Sequence, residues 1–312
     1  MILWLGGCSS KSPGGPAQQG SPTQPRFVAQ QRGQPDAVVD STPQPNFAIT
    51  ALGSVWVTHD GGVVTRIDPK SDRVQARIPV GLTPGPLSAA FGGVWVVDAE
   101  GVTRIDPKNN KVTGTIKVPG PLTGVASGYG HIWATSSVKN ALYEIGAGTQ
   151  RVLKTLTVFD ASSVATGFGK VWVAGGSGSN VVQVQPGKVR VTNNIHVPGG
   201  VHNIAAIGDS VWVSSGGNGH AVSRIDPRTR RVRVIELERS SFPDGLAGTG
   251  LAVWVGEYHG GRVVAIDPHT DQVVARVGVG AGPANVTQGF GSLWVANHDG
   301  ASVWRLPFRP PS

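Results

Sequence analysis

Seven copies of one short apolar strand centred on Trp recur along the chain. They are Val55-Trp56-Val57, Val94-Trp95-Val96, Ile132-Trp133-Ala134, Val171-Trp172-Val173, Val211-Trp212-Val213, Val253-Trp254-Val255 and Leu293-Trp294-Val295. Successive Trp lie 39, 38, 39, 40, 42 and 40 residues apart. Self-similarity at a period of about 40 residues, with short strands and Gly-rich turns, marks a propeller in which each repeat is one blade. Helix formers never gather at a helical period. The pattern predicts an all-β, seven-bladed β-propeller of four-stranded blades.

Each repeat reads as four strands, shown by the third: Val125 to Gly128, a turn, the Trp strand, Ala141 to Ile145, a second turn, then Val152 to Val158. The first strand is rich in Ala, Gly, Ser and Thr, as crowding at a hub requires. Gly53, Gly92, Gly130, Gly169 and Gly291 open the turn into the Trp strand, read as type II′ hairpins, whose first central residue needs positive φ. The fifth repeat has Asp209 there, and the sixth is read with one extra residue before Trp254. Trp strands apolar on both sides fit blades sandwiched between neighbours. A second recurring turn follows the third strand at Asp68-Pro69, Asp106-Pro107, Asp226-Pro227 and Asp267-Pro268, where Asp accepts from the backbone and Pro presets φ. The repeats run continuously from about residue 37 to 306, so one ring is predicted rather than two domains. The last repeat lacks an outer strand. Asp36 to Thr42 lies in outer-strand register before the first inner strand, which predicts that the N-terminal segment completes blade 7 and removes an open edge.

The chain is thus divided into a signal and lipobox segment (1–8), a Pro-, Gln-, Gly- and Ser-rich tether (9–35), the propeller (36–307) and a tail (308–312). With 27 basic and 19 acidic residues the net charge is +8, compatible with an acidic partner such as nucleic acid or an anionic cell envelope. The basic residues cluster at repeated turns, where solvation alone accounts for them. Nucleic acid is not expected, since interleaved aromatics are lacking. The one cysteine excludes an internal disulfide, and Leu5-Gly6-Gly7-Cys8 matches a bacterial lipobox. Met1 to Gly7 is shorter than a usual apolar signal core and carries no basic residue. Cys8 is therefore read as a lipidation site at a start assigned too far downstream, the alternative being a chance Cys in a disordered tail. The expected localisation is extracytoplasmic, on the membrane through lipidated Cys8, as a monomer.

The loops leading into the inner strand and those after the Trp strand share one face. The first group offers Asn46, His202, Asn203, Asp244 and Asn285. The second offers His59, Asp60, Asp98, Glu100, Glu257, Tyr258, His259, Asn297, His298 and Asp299. His and carboxylates around one channel mouth can bind a ligand or act as acid and base, or simply face water. The expected binding face comprises His59, Asp60, Asp98, Asp244, Tyr258, Asn285, His298 and Asp299.

At Val-Trp-Val, Arg66-Ile67-Asp68-Pro69 and Val-Gly-x-x-Pro (Val80 to Pro84, Val279 to Pro283), the chain resembles bacterial propellers of the YVTN and NHL type, and more particularly the virginiamycin B (streptogramin B) lyase superfamily. That resemblance implies a seven-bladed ring. It also implies an enzyme that opens a cyclic depsipeptide ester by elimination, with His, Glu and a magnesium ion at the channel mouth. Glu257 and His259 match the family's Glu-x-His spacing after Trp. His202 stands where an inner-strand His is expected, but one blade early, with Asp244 in the matching blade. Trp-Phe-Thr-Glu, typical of the family, occurs nowhere. Related repeats also form exported sensor or tethered envelope proteins, and a lipobox, a linker and one propeller resemble that class. Two expectations result. The first is a lipid-anchored propeller binding a small molecule or protein without catalysis and without a cofactor. The second is a magnesium-dependent lyase using His202, Glu257 and His259.

Overall fold

The computed structural model describes residues 34–175, 178–216 and 219–307. Cys8 and almost all of the tether lie outside these residues. Seven four-stranded antiparallel sheets are formed, each with its strands in radial order. Blade 1 comprises Pro45–Ala51, Ser54–His59, Val63–Asp68 and Arg73–Pro79. The inner strands of blades 2 to 7 are Leu87–Ala90, Gly124–Gly128, Ala161–Gly167, Ile204–Ile207, Pro243–Thr249 and Pro283–Gly289. Among the described residues no helix is long and apolar enough to cross a membrane.

Every Trp strand is buried on both sides because each blade packs between two others. Trp56, Trp95, Trp133, Trp172, Trp212 and Trp294 are fully buried, and Trp254 is 7% exposed. Each Trp reaches the following blade: Trp56 meets Leu87, Val94 and Val96 of blade 2, and Trp294 meets Val55, Val57 and Ile67 of blade 1. An indole buries about 200 Å² in such a site, so the Trp anchors the interface between blades. The inner strands are small for a steric reason. A Cβ on Gly245 would lie 2.7 Å from the Asn285 backbone of the neighbouring blade, and one on Gly128 2.6 Å from the Thr166 side chain.

Ala37–Asp40 forms the outer strand of blade 7, pairing antiparallel with Ser302–Pro307 in the register Val39 to Val303. Val39 is buried against blade 1, and Asp36 N–H donates to the Arg305 carbonyl at 2.9 Å. The ring is thus joined by hydrogen bonds between the two ends of the described chain. This outer strand starts on the face that holds the hairpin turns.

The inner hairpins differ from the sequence expectation. The two-residue turns are Leu52-Gly53, Phe91-Gly92, Tyr129-Gly130, Phe168-Gly169 and Phe290-Gly291, with φ positive at both positions, from 51° to 84°. That is the type I′ pattern, with Gly second rather than first. Blade 6 carries no insertion: Thr249 pairs with Ala252 across Gly250-Leu251, matching the other blades in length. Its turn lacks the positive φ values, and the Thr249 hydroxyl bonds Ala252 instead. In five blades the Trp indole N–H donates to the carbonyl five residues before it. Trp254 Nε1 has no such partner, which follows from the altered turn.

A second staple runs along the outer part of the same face. The residue paired across from Trp on the third strand is Arg66, Arg104, Arg224 or Arg305 in four blades. Each guanidinium lies 5.0 to 5.9 Å from the centre of its Trp ring. Arg66 donates to Pro107 O and Asn110 of blade 2, and Arg305 donates to Pro69 O and Asp72 of blade 1. Arg224 does the same to Pro268 O and Asp271 of blade 6. Blade 3 lacks the Asp-Pro turn, so Arg104 turns to Thr113 of its own blade.

Candidate functional site

The loops facing away from those turns bring residues of blades 5, 6, 7 and 1 into one arc, two hydrogen-bonded groups joined by an aromatic ring. The three-residue helical turn Tyr258–Gly260 that follows the Trp strand of blade 6 carries the Tyr258 ring toward blade 7. Its hydroxyl donates to Asp299 Oδ1 at 2.7 Å and lies 3.1 Å from His298 Nδ1. His298 Nε2 in turn sits 3.4 Å from Asp60 Oδ2 of blade 1, and Asp60 Oδ1 accepts from Asn46 at 2.6 Å. The ring is therefore bridged once more here, by side chains across the join between blades 7 and 1.

On the other side, His202 Nδ1 of blade 5 is 3.3 Å from Asp244 Oδ1 of blade 6, and Asn203 donates to that oxygen at 2.5 Å. The Phe242 ring fills the space between. It makes edge contacts with His202, Tyr258 and His259 at centroid distances of 5.8, 6.2 and 5.3 Å. Phe242 was not singled out from the sequence, although an aromatic two residues before Asp244, in a loop leading to the hub, was a readable signal.

The electrostatics follow from these contacts. The Asp244 carboxylate holds the His202 imidazolium above its ordinary range, against the opposing effect of burial. Burial first, and then the Asp299 carboxylate, push the Tyr258 phenol up to about 12. Hydrogen bonds from His298 and Tyr258 draw Asp299 below the usual carboxylate range. Tyr258 is thus a neutral donor, not a base, at any ordinary pH. The arc is a partly exposed set of rings and carboxylates, suited to holding a cationic or hydrogen-bonding group.

Other residues expected at the mouth lie elsewhere. Glu257, His59, Asp98 and Asn297 are the last residues of their Trp strands, and all are buried. Arg262 donates to both Glu257 and Glu238, and the second Glu257 oxygen is without a partner. His59 Nδ1 bonds the Pro43 carbonyl at 2.8 Å, and burial lowers its affinity for a proton. Asp98 caps the backbone of Glu100 and Gly101 and accepts from Thr103. Asn285 accepts from Ala48 N–H across the join between blades 7 and 1 at 3.1 Å. Glu257, His59, Asp98 and Asn285 thus hold blades and loops together. His259 is exposed, whereas the Glu257 carboxylate that the lyase pattern would pair with it is buried.

Among the described residues no three His, Asp or Glu converge as a metal cluster. The donor set does not fit the magnesium ion that the resemblance implies, because Glu257 is already committed to Arg262.

No family model and no curated protein matches the chain by sequence. Its fold does match solved structures. Hydrazine synthase from Kuenenia stuttgartiensis superposes with a TM-score of 0.77 at 16% identity, covering 88% of this chain and 98% of that one. Virginiamycin B lyase from Staphylococcus aureus gives 0.75 at 16% identity, over 87% and 98%. The WD40 repeats of RRP9 give 0.75 at 11% identity, over 88% and 97%. At such identities the likeness is one of fold, and the chain has the seven-bladed, virginiamycin B lyase-like propeller architecture.

Proposed function

We propose that the protein is an exported, lipid-anchored propeller that binds a ligand at the arc formed by His202, Asp244, Phe242, Tyr258, His298, Asp299 and Asp60, without catalysing a reaction. The observation that carries the binding reading is the convergence of these side chains from four blades, while most other polar residues of that face are consumed in structure. The observation that favours a non-catalytic role is the burial of Glu257 and its ion pair with Arg262. A general base must reach the proton that it removes, and this carboxylate is enclosed. The lipobox at Cys8 and the tether support anchoring outside the membrane.

The resemblance to virginiamycin B lyases supplies the test. Purified protein incubated with a streptogramin B and magnesium should leave the cyclic depsipeptide intact by mass spectrometry. A linear elimination product that disappears in Glu257→Gln would overturn the non-catalytic reading. Export and anchoring are checked separately: the protein should fractionate with membranes and carry acyl mass on Cys8, and Cys8→Ser should release it.

A further inference from the structure

The face opposite the arc carries a feature that ligand binding does not use. Five of the seven inner hairpins begin their turn with a large apolar residue: Leu52, Phe91, Tyr129, Phe168 and Phe290. Each is 40% to 50% exposed. Each also sits in the left-handed region, with φ between 51° and 55°. A type I′ turn favours Asn, Asp or Gly there, because other side chains are strained at positive φ. Both the backbone strain and the exposed rings are unfavourable to the isolated propeller. The fold itself would be served better by Asn-Gly at every one of these turns. The repetition at five separate blades makes an apolar crown around the channel mouth.

Outside this crown, on the same face, lie the outer hairpins with exposed Lys108, Lys111, Lys188, Arg190, Arg228 and Arg231. The nearby Asp106 and Asp226 accept hydrogen bonds from the backbone of their own turns, which holds the carboxylates against the loops. A concentric pattern results, basic at the margin and largely apolar at the centre, where the blade 5 hairpin instead carries the exposed Asp209 beside Arg224. The first strand, Ala37–Asp40, starts from this face, so the described chain enters the propeller here.

We propose that this face docks on an anionic lipid bilayer, the crown entering the headgroup layer while the basic turns meet acidic headgroups. Apolar insertion combined with basic contacts is how monotopic proteins hold a charged membrane surface. A single-stranded nucleic acid is the other polyanion to consider, but its binders interleave rings and charges along a groove. Here the two are segregated by radius. The inference stands on the crown and its rim and does not depend on lipidation of Cys8 or on a ligand at the opposite face.

The test uses the full-length Cys8→Ser protein, which carries no acyl chain, and sedimentation with vesicles. It should bind vesicles of mixed phosphatidylglycerol and phosphatidylcholine, weaken as salt is raised, and ignore pure phosphatidylcholine. Phe91→Asn, Phe168→Asn and Phe290→Asn combined should weaken binding about tenfold or more, because three inserted rings are lost. The same variant should melt at an equal or higher temperature, since Asn suits the turn, so misfolding cannot explain the loss. Failure of the parent to bind anionic vesicles overturns the proposal. So does unchanged binding by the triple variant. Crown-dependent capture of a poly-U oligonucleotide, with no vesicle binding, would assign the face to nucleic acid instead.

Discussion

Glu257 and His59 stand at matching places, each closing a Trp strand, and both are fully buried with one polar atom unpaired. Removing a partner from a buried ion pair costs more than the pair contributes, commonly about 3–5 kcal/mol. Arg262→Ala should therefore destabilise the fold strongly, and Glu257→Gln much less, as read by urea unfolding at neutral pH. The two perturbed histidines work in opposite directions. His202, raised by Asp244, contributes stability that is fully present below an unfolded pKa of about 6.5 and disappears as pH rises through its folded value. His59, lowered by burial, contributes stability that is present above about 6.5 and is lost as pH falls toward its folded value. Asp244→Asn should remove the first dependence from thermal melts recorded across pH 5 to 8, and His59→Asn the second. The sequence disclosed the types of residue at the mouth but not their direction. A Trp strand is enclosed on both sides, so alternation gives no clue that Glu257 and Asp98 turn inward while Tyr258 and Asp299 stay in the arc.

At the scale of the blade, the arginine staple couples neighbours through a short motif. Arg66 finds Asn110, Arg224 finds Asp271 and Arg305 finds Asp72, each four residues after the Asp of an Asp-Pro turn in the following blade. Blade 4 has Gln183 in place of Arg, and the turn of blade 5 correspondingly has Arg230 where an acceptor would stand. This pairing was present in the sequence as a recurring Arg two residues before the turn Asp, though its partner one repeat later was not recognised. Arg66→Ala should cost about 1–3 kcal/mol for its charge-assisted bonds, and Arg104→Ala distinctly less, since its acceptor lies within its own blade. Unfolding of an Arg305→Ala, Asp72→Ala double-mutant cycle should return a clear coupling energy across the ring join. The hairpin type escaped the sequence reading because a lone Gly does not reveal whether it is first or second in a two-residue turn. Phe91-Gly92 and its counterparts set the frame one residue earlier.

For the whole molecule, the seven Trp fixed blade number and the unpaired third strand of blade 7 pointed to Asp36 to Thr42, within which Ala37–Asp40 forms the strand. Both were legible because a ring tolerates no open edge. The two faces were not equally legible. Polar residues announced the arc, whereas the apolar crown is visible only once the turn frame shows Leu52 and the four aromatic residues projecting at the tips. The closed ring underlies both faces, for the arc spans the join through His298 and Asp60 and the crown depends on all blades being held in register. Amide hydrogen exchange tests it most directly. In the intact protein the amides of Val39, Val303 and Trp56 should exchange only through global unfolding, and a chain starting at residue 41 should lose protection first in blades 7 and 1. Rapid exchange at Val39 in the intact chain, or unchanged protection of blades 7 and 1 after that truncation, would contradict the account.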